Sequence, residues 1–160
     1  MKEKVYKYLD DLGITYEVVN HPIATTTELA DKYIQGYEGV RTKTMFLYNK
    51  NKTNFYLIVL DENQRVDFKY LEELLNENKI KFAADEVLIN KLGLRKGIVS
   101  IFGLLNNTEN ITVLLDKSIN RGIPITFHPN MNDATIFISY EDTIKFLEFL
   151  KVKHIDINMN

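Results

Sequence analysis

Residues 42–60 read TKTMFLYNKNKTNFYLIVL, and this stretch decides the fold. Residues 42–48 alternate around Thr44, Phe46 and Tyr48 on one side and Lys43, Met45 and Leu47 on the other, the period of a strand. The polar run 49–54 reads as a hairpin turn. Residues 55–60 are apolar without alternation, which predicts a strand buried on both faces.

Outward from it, the elements change type repeatedly over short connections. Residues 1–12 predict a helix with Val5, Tyr8, Leu9 and Leu12 on one face, ended by Gly13. Residues 14–19 predict a strand. Thr25 and Glu28 are spaced as a capping box opening a helix to about residue 35. Asp67 is placed to cap a helix carrying Phe68, Leu71, Leu74 and Leu75. Residues 80–84 predict a short strand, and Asp85 a cap for a helix that Gly93 terminates. Strands are predicted over 111–115, 123–127 and 135–138. Ser139 and Asp142 begin a last helix, followed by a short strand at 155–157. The pattern is that of an α+β fold: a single domain over 1–160 with a mixed, barrel-like sheet flanked by helices.

The bulk composition excludes several classes. At 160 residues, 45% apolar and 26% charged, the chain can bury a core and is not compositionally disordered. It has no cysteine, so a thiol nucleophile, a disulfide and a zinc–thiolate site are excluded. The three histidines are scattered, so no metal and no cofactor is expected. No apolar run is long enough to span a bilayer, and residues 1–12 are too charged for a signal peptide; a cytoplasmic protein with no membrane partner is expected. The net charge of −2 argues against a long phosphate-gripping surface, leaving a short or local contact with nucleic acid.

Three places could carry chemistry. Lys43 shares a strand face with Met45 and Leu47. Either it sits at the strand end and reaches water, or it is a cation at the mouth of a pocket, holding a phosphate or a developing negative charge. Gly97-Ile98-Val99-Ser100-Ile101-Phe102-Gly103 puts two glycines around an apolar run. That is either a plain turn or a bend whose amides face a carbonyl oxygen. His128, in Phe127-His128-Pro129-Asn130, directly follows a strand and stands at the sheet rim as either a structural residue or a base. His21 has a similar local setting, and His154 is expected near the surface. No phosphate-binding loop, dinucleotide fingerprint or nucleophile elbow is present.

The order of these segments resembles the YbaK and prolyl-tRNA synthetase-associated editing family, within it the freestanding ProXp-ala (PrdX) branch. The motifs that carry the resemblance are His21-Pro22, Lys43-Thr44-Met45-Phe46-Leu47, Lys81-Phe82-Ala83, Gly97-Ile98-Val99-Ser100 and Phe127-His128-Pro129-Asn130. They occur in shared order over about 130 residues, and agreement across levels is itself evidence. The resemblance implies a trans-editing deacylase that hydrolyses the ester joining a wrong amino acid, alanine for choice, to tRNA for proline. It places the family's essential lysine on Lys43, its Gly-x-x-x-Pro loop on Gly97–Ile101, and its histidine on His128. Ser100 joins them as a loop amide. Thr44, Phe46, Ile98, Val99, Ile101, Phe102 and Asn130 are expected around the substrate. Two positions depart from the pattern: Ile101 stands where the loop has proline, and Thr44 where this branch often has asparagine. The first implies a more mobile loop or a reshaped pocket.

The partners implied are the acceptor end of the misacylated tRNA for proline and prolyl-tRNA synthetase, and a monomer is expected. Lys2, Lys4 and Lys7 form a basic strip on the first helix, with Arg41, Lys50 and Lys52 beside it. The strip is either an RNA contact or a solvated helix face. Rival readings are a deacylase for cysteinyl, seryl or threonyl esters, a non-catalytic module that binds charged tRNA or a synthetase, and a general small-acyl esterase.

Overall fold

A computed structural model describes residues 2–159. The order is α1 (Lys2–Asp11), β1 (Tyr16–Asn20), α2 (Thr27–Tyr33), β2 (Thr42–Asn49), β3 (Phe55–Asp61), α3 (Phe68–Leu75), β4 (Ile80–Phe82), α4 (Asp85–Leu92), a 3-10 helix (Ile101–Leu105), β5 (Ile111–Asp116), a short 3-10 turn (Lys117–Ile119), β6 (Ile125–Phe127), β7 (Ala134–Ile138), α5 (Tyr140–Phe149) and β8 (Lys153–Ile157). Met1, expected in the first helix, lies outside the described residues.

The α+β class stands, but the strands form two sheets rather than one closed, barrel-like sheet. Five strands run in the order β4-β2-β3-β5-β8 and three in the order β1-β7-β6. The β2–β3 hairpin is antiparallel with Tyr48 opposite Phe55 and Lys43 opposite Leu60. β3–β5 and β5–β8 are parallel, so the larger sheet is mixed. The sheets meet beside β2 through side chains instead of a ladder. The Thr42 amide donates to the Thr126 hydroxyl at 3.1 Å, and that hydroxyl donates to the Val40 carbonyl at 3.0 Å. A single bridge, Val40 to Ile125, is all the strand pairing at this seam among the described residues.

The unalternating run in β3 does what its pattern predicts. Phe55, Leu57 and Val59 pack into the main core, with Val5 and Leu9 of α1 and Phe146 of α5. Tyr56, Ile58 and Leu60 face the second core beneath Leu71 of α3. Burying this strand on both sides makes it the thermodynamic centre of the fold, since each fully buried aliphatic side chain contributes about 1.5–3 kcal/mol.

Some helix starts shift. Thr26, not Thr25, caps α2, its hydroxyl accepting from the Leu29 amide at 3.1 Å. Asp85 lies inside the first turn of α4; Ala84 precedes it without a side-chain cap, so Asp85 contributes only favourable charge at the helix start. Asp67 and Ser139 cap α3 and α5 as expected. The strand expected from residue 123 begins at Ile125, because the Pro124 carbonyl is turned to accept from the Val40 amide.

Candidate functional site

A cavity of about 600 Å³ opens where the two sheets meet. Its position follows from the lengths of the strands. β4 pairs with β2 only over Leu47–Asn49. Beyond that point the edge of β2 is uncovered, and the start of α2 and the ends of β4 and β6 enclose the space.

The uncovered edge presents main-chain groups. The Phe46 carbonyl accepts from the Ala83 amide at 2.9 Å, and the Thr42 amide is bound to Thr126. Alternate residues of an antiparallel strand aim their N–H and C=O at the same edge. Thr44, midway between these two, therefore aims its own pair at the gap, and Thr44 lines the cavity.

Lys43 lines the same space and is half-buried. Among the described residues no carboxylate lies within ion-pair distance of it. Burial lowers its ammonium pKa; the charge of Arg65 adds to this and those of Asp61 and Glu62 oppose it. Lys43 is thus the second residue of its strand and a lining residue of the cavity.

His128 follows β6 into the cavity wall. Burial, reinforced by His21, lowers its pKa against the opposing charge of Asp31, so the ring is neutral at pH 7. Its Nδ1 is buried without a hydrogen-bond partner among the described residues.

Three carboxyl groups join the polar lining: Asp85 at the start of α4, and two that the sequence does not single out. Asp31 comes from α2 and Glu62 from the residue after β3. Burial, with a proton shared with Asp31, pushes Glu62 up to about 8. The hairpin register contains the signal for Glu62. With Lys43 opposite Leu60 and Thr42 opposite Asp61, the next residue must emerge beside the start of β2. Thr126 and Thr135 also line the cavity, with Thr135 Oγ1 held 3.0 Å from His21 Nε2. His21 in turn stacks on Tyr33, the centroids 5.4 Å apart.

Of the other residues singled out from the sequence, Phe46, Gly97 and Val99 line the cavity. Gly97 takes φ +95°, a backbone turn that favours glycine. Ser100 does not face the cavity. It is fully buried and its hydroxyl caps the 3-10 helix, accepting from the Phe102 amide at 3.2 Å. That helix turns Ile101 and Phe102 into the main core, where both are fully buried, and Ile98 packs against the same core. Asn130 is buried, takes φ +63° and donates to the Phe102 carbonyl at 3.2 Å. It fastens the loop that carries His128 instead of lining the cavity.

The basic strip is not gathered at the cavity. Lys2 is ion-paired with Asp133 at 3.0 Å and Lys7 with Asp11 at 2.8 Å, and Lys4 reaches Asn106 at 3.5 Å. The Arg41 guanidinium donates to the carbonyls of Ile34, Tyr37 and Gly39, closing the loop after α2. Lys50 and Lys52 sit at the hairpin turn; seven residues of strand put Lys50 about 23 Å from Lys43. The cation that does join Lys43 at the cavity is the exposed Lys96. No cluster of three metal-ligating side chains occurs among the described residues. None of their helices is long and apolar enough to cross a membrane.

Residues 21–146 match the aminoacyl-tRNA editing domain family. The chain is 35% identical over 149 residues to the prolyl-tRNA editing protein ProX of Acetoanaerobium sticklandii, spanning 92% of this chain and 90% of that protein. It is 30% identical over 148 residues to a human protein provisionally named prolyl-tRNA synthetase associated domain-containing protein 1, spanning 90% and 86% of the two. A solved structure provisionally described as a trans-editing enzyme for prolyl tRNA synthetase superposes with a TM-score of 0.76 at 17% identity, covering 99% of this chain and 97% of that one. That likeness bears on the fold.

Proposed function

Because this chain belongs to the aminoacyl-tRNA editing domain family and is thereby an aminoacyl-tRNA hydrolase, we propose that it clears alanine from misacylated tRNA for proline, acting in trans. The observation that carries this reading is a cavity in which the unpaired Lys43 stands beside the uncovered main-chain edge at Thr44. A cation and backbone donors suit an ester whose carbonyl oxygen turns negative in the transition state.

Water attacks the ester carbonyl carbon, the bond to the ribose oxygen breaks, and alanine and uncharged tRNA leave. An aminoacyl ester is already activated, so no covalent nucleophile is required. Lys43 holds a terminal phosphate or the ester region as a point charge. The Thr44 amide faces the carbonyl oxygen, a place the sequence assigned to the amides near Gly97. The neutral His128 orients the water or the vicinal ribose hydroxyl from the cavity wall. The Asp31–Glu62 pair, holding its shared proton, offers a single negative charge to the substrate's α-ammonium.

Selection rests on exclusion, since one methylene is worth only about 1–3 kcal/mol by attraction. Phe46 and Val99 bound the space, and proline is kept out by its ring. The substrate is held over a short contact, as the net charge of −2 implies. The protein acts in the cytoplasm as a monomer, on tRNA charged by prolyl-tRNA synthetase. These readings of substrate, partner and residue roles are tested together by comparing single-turnover deacylation by the wild-type protein with that by Lys43→Ala. Loss of about 100-fold or more in the chemical step, the scale of a removed oxyanion-stabilising group, supports them. An unimpaired variant removes Lys43 from the mechanism.

A second reading, hydrolysis of seryl or threonyl esters, draws on the hydroxyls around the cavity. Four of the seven lining threonines are already engaged: Thr126 and Thr42 with each other across the seam, Thr135 with His21, and Thr26 with the Leu29 amide. Their engagement favours alanine.

A further inference from the structure

Phe82 ends β4 and is 53% exposed. Phe82 also lines the cavity, so this exposed side chain stands at the cavity edge. Its ring meets Phe68 of α3 edge-to-face, the centroids 5.1 Å apart and the planes at 90°. Such a contact takes up either the edge of Phe82 or one of its faces, so a face stays free. The contact also fixes the ring, so little side-chain entropy remains to be lost when something stacks on it.

The cavity order matters. Phe82 and the exposed Lys96 are lining residues open to solvent, whereas Lys43 and His128 are half-buried. A substrate whose ester lies against Lys43 must leave the rest of its terminal nucleotide at the exposed part. The group attached to that ribose is a purine base. Single-stranded nucleic acid ends are bound by stacking bases on aromatic side chains, with cations along the backbone.

We propose that Phe82 is the stacking platform for the terminal adenine of the RNA, with Lys96 placed for an adjacent phosphate. The assignment rests on the function proposed above. It adds a base-binding subsite to the ester-binding one and gives a role to the ring face that Phe68 leaves open.

The test uses a tRNA in which 2-aminopurine replaces the terminal adenine, since stacking quenches its fluorescence. Phe82→Trp keeps an aromatic face, and Phe82→Leu keeps the apolar contact with Phe68 without one. The proposal expects quenching by the wild-type protein and Phe82→Trp and its loss in Phe82→Leu. With normal alanyl-tRNA it expects KM to rise on the order of ten-fold in Phe82→Leu, with kcat nearly unchanged and Phe82→Trp restoring KM. Equal quenching and equal KM in Phe82→Leu would overturn it. If the wild-type protein deacylates nothing, the proposed function falls, while the fluorescence of uncharged RNA still decides whether Phe82 stacks on the base.

Discussion

Thr126 and Thr42 hold the two sheets together at the edge of the cavity. The Thr126 hydroxyl accepts from the Thr42 amide at 3.1 Å and donates to the Val40 carbonyl at 3.0 Å, while the Thr42 hydroxyl donates to the Thr126 carbonyl. One buried hydroxyl thus satisfies two main-chain groups from the other sheet. Thr126→Val keeps the shape and strands both, at about 1–3 kcal/mol for each unsatisfied group. Urea unfolding should show that loss, with Thr126→Ser near the wild type. A Thr126→Val midpoint equal to the wild type would mean the seam does not depend on this hydroxyl.

Size selection should follow Val99 and not Ile101. Val99 lines the cavity, whereas Ile101 is fully buried in the main core. Ile101→Ala is therefore expected to cost about 2–5 kcal/mol of stability and to leave the ratio of alanyl to larger-ester hydrolysis alone. Val99→Ala should leave most of the stability and let larger esters in. Rates on a series of aminoacyl-tRNAs check both variants, and the opposite assignment of effects would return Ile101 to the pocket wall.

Stability should fall as the pH rises through neutrality. Glu62 is pushed from its ordinary 4.5 to about 8 by burial and by Asp31, with Asp61 adding and Arg41 opposing; Lys43 stands nearby. Between those values the folded chain holds a proton that the unfolded chain has released, so raising the pH favours unfolding. The contribution is complete below about 4.5 and gone above about 8. The lowered His128 acts in the opposite sense, in the range up to its ordinary 6.5, so the slope is best read between about pH 7 and 8. Glu62→Gln should flatten it. A wild-type slope unchanged in Glu62→Gln would show that the proton sits elsewhere.

RNA affinity should depend on the cavity cations and not on the first helix. With Lys2 and Lys7 ion-paired and no α1 residue lining the cavity, Lys4→Glu plus Lys7→Glu is expected to leave the salt dependence of binding as it was. Lys96→Ala should reduce the slope of log affinity against log salt by about 1, the value for one phosphate contact. A reduced slope in the helix double variant would place RNA on α1.

The sheet was readable from the chain because its central strand needs no context. An apolar run of six residues at 55–60 reads as a strand buried on both faces and the polar run before it as a hairpin turn, while the register that brings Lys43 opposite Leu60 is seen only in the structure. The caps at Asp67 and Ser139 were readable for the same local reason. What escaped depends on distant partners. Thr25 and Thr26 are equivalent by pattern, and only the packed direction of α2 selects Thr26. The two-sheet arrangement hangs on Thr42 meeting a hydroxyl 84 residues away. Lys2 looks free until Asp133 folds beside it. Ser100 and Ile101, in an apolar loop, gave no sign that a 3-10 helix would turn one into a cap and the other into core. Asp31 and Glu62 looked like solvated charges because their shared cavity exists only after β4 stops short along β2.

The most direct measurement is deacylation of alanyl-tRNA for proline beside its prolyl, cysteinyl and seryl counterparts, with the wild-type protein and Lys43→Ala. The account predicts that the wild-type protein hydrolyses the alanyl ester, spares the prolyl ester, and loses this activity with Lys43. Equal hydrolysis of alanyl and prolyl esters, or no hydrolysis of the alanyl ester, would contradict it.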